Sequence, residues 1–94
     1  MKIEWSAAAL ADLDRFAAFL HERHPHLARI VATKIRAKAA ILAEHPLIGR
    51  PIAGRAHFRE LVMEVLNARY VFRYGTDGER LVMLRVFHGR ERRE

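Results

Sequence analysis

Apolar positions recur with a helical period through the first half of the chain and with a period of two through the second. Lys2-Ile3-Glu4-Trp5 alternates and predicts a short strand, and Ser6 is a helix-capping residue at the next position. Leu10, Leu13, Ala17 and Leu20, with Phe16 beside them, predict a helix with one buried stripe. Asp12, Asp14, Arg15 and Glu22 then take the wet side. This helix should end near His24, because proline disfavours α geometry in the residue before it. Pro25 suits the first turn of a second helix, whose stripe is Leu27, Val31, Ile35, Ala39 and Leu42. That helix runs to about Glu44, where His45-Pro46 stops it. Two helices joined by so short a turn must form an antiparallel hairpin.

Residues His45 to His57 predict a loop, punctuated by Pro46, Gly49, Pro51 and Gly54, that folds back over the helix ends and aims Arg50 outward. Three strands follow, about Phe58–Leu66, Arg69–Gly75 and Arg80–His88, joined by Asn67-Ala68 and by a turn with the Asp77-Gly78 signature. The order β-α-α-β-β-β predicts an α+β fold, a twisted antiparallel sheet with the helical hairpin packed on one face, in a single domain over residues 1–94. In the last strand, alternation groups Val82, Leu84 and Val86 against Leu81, Met83, Arg85 and Phe87. The mixed, charge-bearing sheet face is where a partner or substrate is expected to dock.

Composition narrows the function classes. The net charge of +6 favours an acidic partner, whether nucleic acid, an acidic protein segment or a ribosome. The charge is spread evenly, with eight basic against five acidic residues in 1–54 and nine against six in 55–94. Arginine outnumbers lysine fourteen to three, as guanidinium forks for carboxylate or phosphate, or a GC-rich genome, would each produce. The lack of cysteine excludes disulfides, zinc–thiolate sites and thiol nucleophiles. No apolar run approaches the ~18–20 residues of a membrane span and no signal peptide opens the chain, so a soluble cytoplasmic protein is expected.

The candidate chemistry is thin except at the C-terminus. His21, His24 and His26 crowd the helix turn, but Pro25 breaks their geometry and Arg23 opposes a cation; no metal and no cofactor is expected. Arg29, Lys34, Arg36 and Lys38 make the second helix basic, a solvated face or a surface for nucleic acid or acidic protein. The tail Leu84 to Glu94 sets His88, Arg90, Arg92 and Arg93 at a sheet end. Cleavage of RNA by its own 2′-hydroxyl needs a base, cations and an acid around one phosphate. Glu60, Glu64, Arg73, Arg85, His88 and Arg90 offer the pieces, but alternation puts His88 opposite Arg85 and no tyrosine follows Arg90.

Several segments occur in a telling order: Trp5-Ser6 before Ala9, Asp12 and Leu13; His45-Pro46-Leu47-Ile48-Gly49-Arg50-Pro51; Arg59-Glu60-Leu61; Tyr70-Val71-Phe72-Arg73-Tyr74; and Arg85-Val86-Phe87-His88-Gly89-Arg90. Together they resemble toxins of the RelE/ParE superfamily over almost the whole chain. The resemblance implies the stable toxin of a bacterial type II toxin–antitoxin pair. RelE-like members cleave messenger RNA in the ribosomal A site, whereas ParE-like members poison DNA gyrase. The Gly-Arg-Pro loop and the His-Gly-Arg ending look more ParE-like, which implies a gyrase inhibitor with no catalytic residues. The alternative is a ribosome-dependent endoribonuclease using His88, Arg90, Arg85 and Arg73, and a further alternative is a basic nucleic-acid-binding adaptor. The resemblance also implies a cognate antitoxin whose acidic C-terminal segment covers helices and a sheet edge, with operon DNA reached only through that antitoxin. Antitoxin contacts are expected at Trp5, Leu13, Phe16, Arg50, Arg55, Arg59, Arg73 and Arg85. Contacts to the target are expected at His88, Arg90, Arg92 and Arg93.

Overall fold

Ser6 and Pro25 fix where the two helices begin. The computed structural model describes residues 1–91 and runs β1 (Lys2–Trp5), α1 (Ala7–His21), α2 (Pro25–Glu44), β2 (Arg50–Ile52), β3 (Arg55–Val65), β4 (Ala68–Thr76) and β5 (Arg80–His88). Ser6 Oγ accepts the Ala9 N–H and its hydroxyl donates to the Leu84 carbonyl, each at 3.0 Å, so one side chain starts α1 and ties it to β5. Pro25 occupies the first turn of α2, where its missing N–H has no helical partner to lose.

The strands form one sheet in the order β1-β5-β4-β3-β2. Neighbours from β2 to β5 are antiparallel, as expected, while β1 lies parallel to β5 from Lys2↔Arg80 to Trp5↔Met83, so the five-stranded sheet is mixed. No hairpin joins β1 to β5, so nothing constrains that pair to run antiparallel. The helical hairpin packs on one face. Ala9, Leu13 and Phe16 of α1 and Val31, Ile35, Ala39 and Leu42 of α2 close over Tyr70, Phe72, Tyr74, Leu81, Met83 and Val86. Among the described residues no helix is long and apolar enough to cross a membrane.

Four local features differ from the sequence expectation. The stretch from His45 to His57 holds β2 and the start of β3, because Arg50 and Pro51 pair with Glu60 and Arg59. The β3–β4 turn is Leu66-Asn67, one residue earlier than Asn67-Ala68; both residues have positive φ (52° and 65°), the geometry of a two-residue hairpin closed by Val65↔Ala68. In β5 the register slips between Arg73↔Arg85 and Tyr74↔Met83, leaving Leu84 as an extra residue. That bulge flips the alternation, so Leu81, Met83 and Val86 turn to the helices while Val82, Arg85 and Phe87 go to the other face, where Phe87 is buried beneath Arg73 and Arg85. Finally, the α1 stripe is rotated: Leu10 is exposed and Asp12 is only 3% exposed.

Candidate docking groove and C-terminal turn

Asp12 is buried because β1 is too short. β1 pairs with β5 only as far as Met83, so among the described residues the β5 edge beyond it has no strand beside it. Side chains take the strand's place. Asp12 Oδ2 accepts the Val86 N–H at 2.8 Å, and Glu91 Oε1 accepts the His88 N–H at 2.8 Å. Arg85 reaches round the open edge and grips Asp12 through Nε (2.8 Å) and Nη2 (3.0 Å). Arg15 bridges the two carboxylates, with Nη2 3.0 Å from Asp12 and Nη1 2.7 Å from Glu91. Burial alone would raise the Asp12 pKa; hydrogen bonds from Arg85, the Val86 amide and Arg15 outweigh it and hold the carboxyl below its usual value.

The same contacts set the turn that ends the described chain. Gly89 N–H donates to the Arg69 carbonyl at 2.7 Å, and a Cβ on Gly89 would stand 2.9 Å from that oxygen, so only glycine lies this close to β4. Glu91 N–H returns to the His88 carbonyl at 2.9 Å, and Arg90 N–H points at His88 Nδ1 at 3.2 Å. The His88 ring meets Tyr70 edge-on at 5.4 Å, and Tyr70 meets Phe16 edge-on at 5.1 Å.

This turn forms one wall of a groove. The opposite wall is α1 with Phe16, Phe19 and Leu20; Leu27 of α2 and the Leu66-Asn67 turn close its end. Phe19 is 60% exposed, with the Arg23 guanidinium stacked on its ring at 4.2 Å. Arg15, Arg69 and Arg90 stand among the lining residues, and Glu91 is the one acid there among the described residues. An apolar floor with a basic rim fits an amphipathic, acidic segment.

The nuclease set does not converge. Arg73 and Arg85 lie across from each other on the open face, both stacked on the Phe87 ring at 5.1 and 4.8 Å, and Arg73 is paired with Glu60. His88 is on the helix side, opposite Tyr70. Tyr70 is a neighbour that sequence spacing did not suggest. Burial, then the Glu91 charge, push its phenol pKa up, so it holds its proton more tightly than a free tyrosine.

Similarity to known proteins fits this architecture. A family model described as "ParE toxin of type II toxin-antitoxin system, parDE" matches residues 3–93. The chain belongs to this ParE toxin family. A Sinorhizobium fredii protein named "Putative toxin Y4kP" is 33% identical over 84 residues, which cover 88% of this chain and 85% of the relative. A solved structure titled "Chromosomal ParDE TA system from P. aeruginosa" matches with a TM-score of 0.76 over 94% of this chain and 95% of its own, and at 21% identity that likeness concerns the fold.

In this ParE-family toxin the residues expected to meet an antitoxin are scattered. Leu13 and Phe16 belong to the core, where the α1 stripe put them, and Phe19 and Leu20 present more of the apolar area of α1 to the groove. Trp5 is half-buried under the Arg36 guanidinium, 5.4 Å from its ring. Arg59 holds the loop before β2 by donating to the Gly49 carbonyl at 2.7 Å. Arg73 and Arg85 are engaged by Glu60 and Asp12, while Arg50 and Arg55 are exposed. Of the expected target contacts, His88 and Arg90 sit at the groove mouth, and Arg92 and Arg93 lie outside the described residues.

Proposed function

We propose that this toxin arrests growth by binding DNA gyrase as a protein inhibitor, without bond chemistry of its own, and that the acidic segment of a cognate antitoxin silences it by filling the groove. The separation of His88 from Arg73 and Arg85 across the sheet carries this reading. RNA cleavage needs a base, an acid and cations around one phosphate. Here the two sheet arginines face away from the imidazole and are already held by carboxylates.

The groove supports the second half of the proposal. Covering the remaining exposed area of Phe19 alone contributes about 1–2 kcal/mol, and the rim arginines select acidic side chains. An acidic, disordered segment is drawn to a chain of net charge +6 and orders as it docks. His88 and Arg90 at the mouth make contact with the target, so a groove occupant covers them.

Purified toxin should block supercoiling by gyrase, its induction should raise the SOS response, and antitoxin should reverse both. Unchanged supercoiling at saturating toxin, together with new codon-positioned ends on translated messages that vanish in a His88→Ala/Arg90→Ala variant, would replace this reading with a ribosome-dependent nuclease.

A further inference from the structure

Residues 45–49, which join α2 to β2, are pinned from several sides. The Tyr74 hydroxyl donates to the Pro46 carbonyl at 2.7 Å and accepts the Gly49 N–H at 2.9 Å. Arg59 Nη1 donates to the carbonyls of Gly49 and Leu47, and Ile48 N–H donates to the His45 carbonyl at 3.1 Å. Gly49 is buried, and a Cβ there would stand 2.6 Å from the Tyr74 hydroxyl. A loop anchored in this way has little freedom left to lose on binding.

What the loop presents is unexpected. Sequence reasoning folds its apolar residues back over the helices, yet Leu47 is 67% and Ile48 48% exposed, with Ile41 also exposed one turn back on α2. Two adjacent aliphatic side chains exposed to this degree forgo about 1–2 kcal/mol each in burial. Set on a fixed backbone, they have the form of an anchor for a partner's pocket. The surroundings define the partner. Residues 45–59 include Arg50, Arg55, Arg59, His45 and His57 and no acid. Two copies of so basic a loop would repel each other, and a phosphate backbone has nothing to gain from the aliphatic centre. An acidic protein face with an apolar slot satisfies both parts. The α2 helix has 20 residues and is about 30 Å long, so this surface lies at the end of α2 opposite the groove.

We propose that Leu47 and Ile48, with Ile41, Arg50 and Arg55, form a second protein-docking surface that anchors the toxin on an acidic face of its target. This rests on the reading of a toxin that works by protein contact, and it adds a contact site independent of the groove.

The test uses the full chain with Leu47→Ser and Ile48→Ser combined, an exposed pair whose replacement should leave the urea midpoint unchanged. Three quantities are compared with wild type: the expression level that arrests growth, affinity for gyrase holoenzyme, and affinity for the antitoxin. Target affinity and arrest should each weaken about tenfold, while antitoxin affinity stays within about twofold. Arg50→Glu with Arg55→Glu should slow association with gyrase, more at low salt than at high. Unaltered arrest by the double serine variant overturns the proposal, as does an equal loss of antitoxin affinity. Wild-type self-association that the variant abolishes, or duplex DNA binding that it abolishes, also overturns it in favour of a second copy or a nucleic acid. If wild type arrests growth without binding gyrase, the gyrase reading alone fails and the growth comparison decides the anchor. A wild-type chain that arrests nothing overturns both.

Discussion

Removing the Asp12 carboxylate tests the claim that a side chain replaces a missing strand. In Asp12→Ala the buried Val86 N–H loses its acceptor, which costs about 1–3 kcal/mol. The charge-assisted bonds from Arg85 and Arg15 go as well, each worth about 1.5–3 kcal/mol where fully buried. Those side chains are 42% and 44% exposed, so both cations return to water and these bonds count for much less. The total comes to about 3 kcal/mol, which lowers Tm by about 4–8 °C per kcal/mol in a domain of this size. Asp12→Asn keeps an oxygen for Val86 but loses the charge, and should cost about 1–2 kcal/mol. Acid titration separates the charge from the shape. The folded Asp12 pKa lies below its ordinary 3.8, so its stabilisation is complete well above 3.8 and is lost as pH falls from there through the lower folded value. Urea unfolding between pH 7 and pH 2.5 should therefore show the wild-type advantage over Asp12→Asn shrinking in that window. An alanine variant within about 0.5 kcal/mol of wild type, or an advantage over the asparagine variant that does not shrink between pH 7 and pH 2.5, would refute the reasoning.

Two further perturbations address the turn and the loop. Glu91→Ala removes the acceptor of the His88 N–H and a partner of Arg15, so amide exchange at His88 should quicken about tenfold while the urea midpoint barely moves; unchanged exchange would mean that Glu91 does not hold the turn. Tyr74→Phe deprives Pro46 and Gly49 of their shared hydroxyl and should cost about 1–3 kcal/mol in urea unfolding, with faster exchange at Gly49; a loss under 0.5 kcal/mol would show that the loop is held by Arg59 alone.

The sequence by itself determined the first strand, both helices and the three long strands in their order, but read the short β2 (Arg50–Ile52) as loop. Pro25 and His45-Pro46 bound α2 where the structure bounds it, and the spacing of Val31, Ile35, Ala39 and Leu42 marks its buried face because helical periodicity is local. The tail geometry was legible in one respect: parity alone put His88 opposite Arg85, since the bulge at Leu84 precedes both. The candidate site was largely illegible. Asp12 reads as a wet-side aspartate until the length of β1 leaves the Val86 N–H, 74 residues away, without a strand. Tyr70 meets His88 only through the β4–β5 register, and the alternation of β5 could not be phased without knowing that Leu84 is an extra residue. Leu47 and Ile48 look like core until Tyr74 and Arg59 fix the loop that exposes them. Periodicity says which side of an element is apolar. Which neighbour covers that side, and which polar group it leaves unpaired, depends on strand length and register across the sheet, and only the tertiary structure decides those.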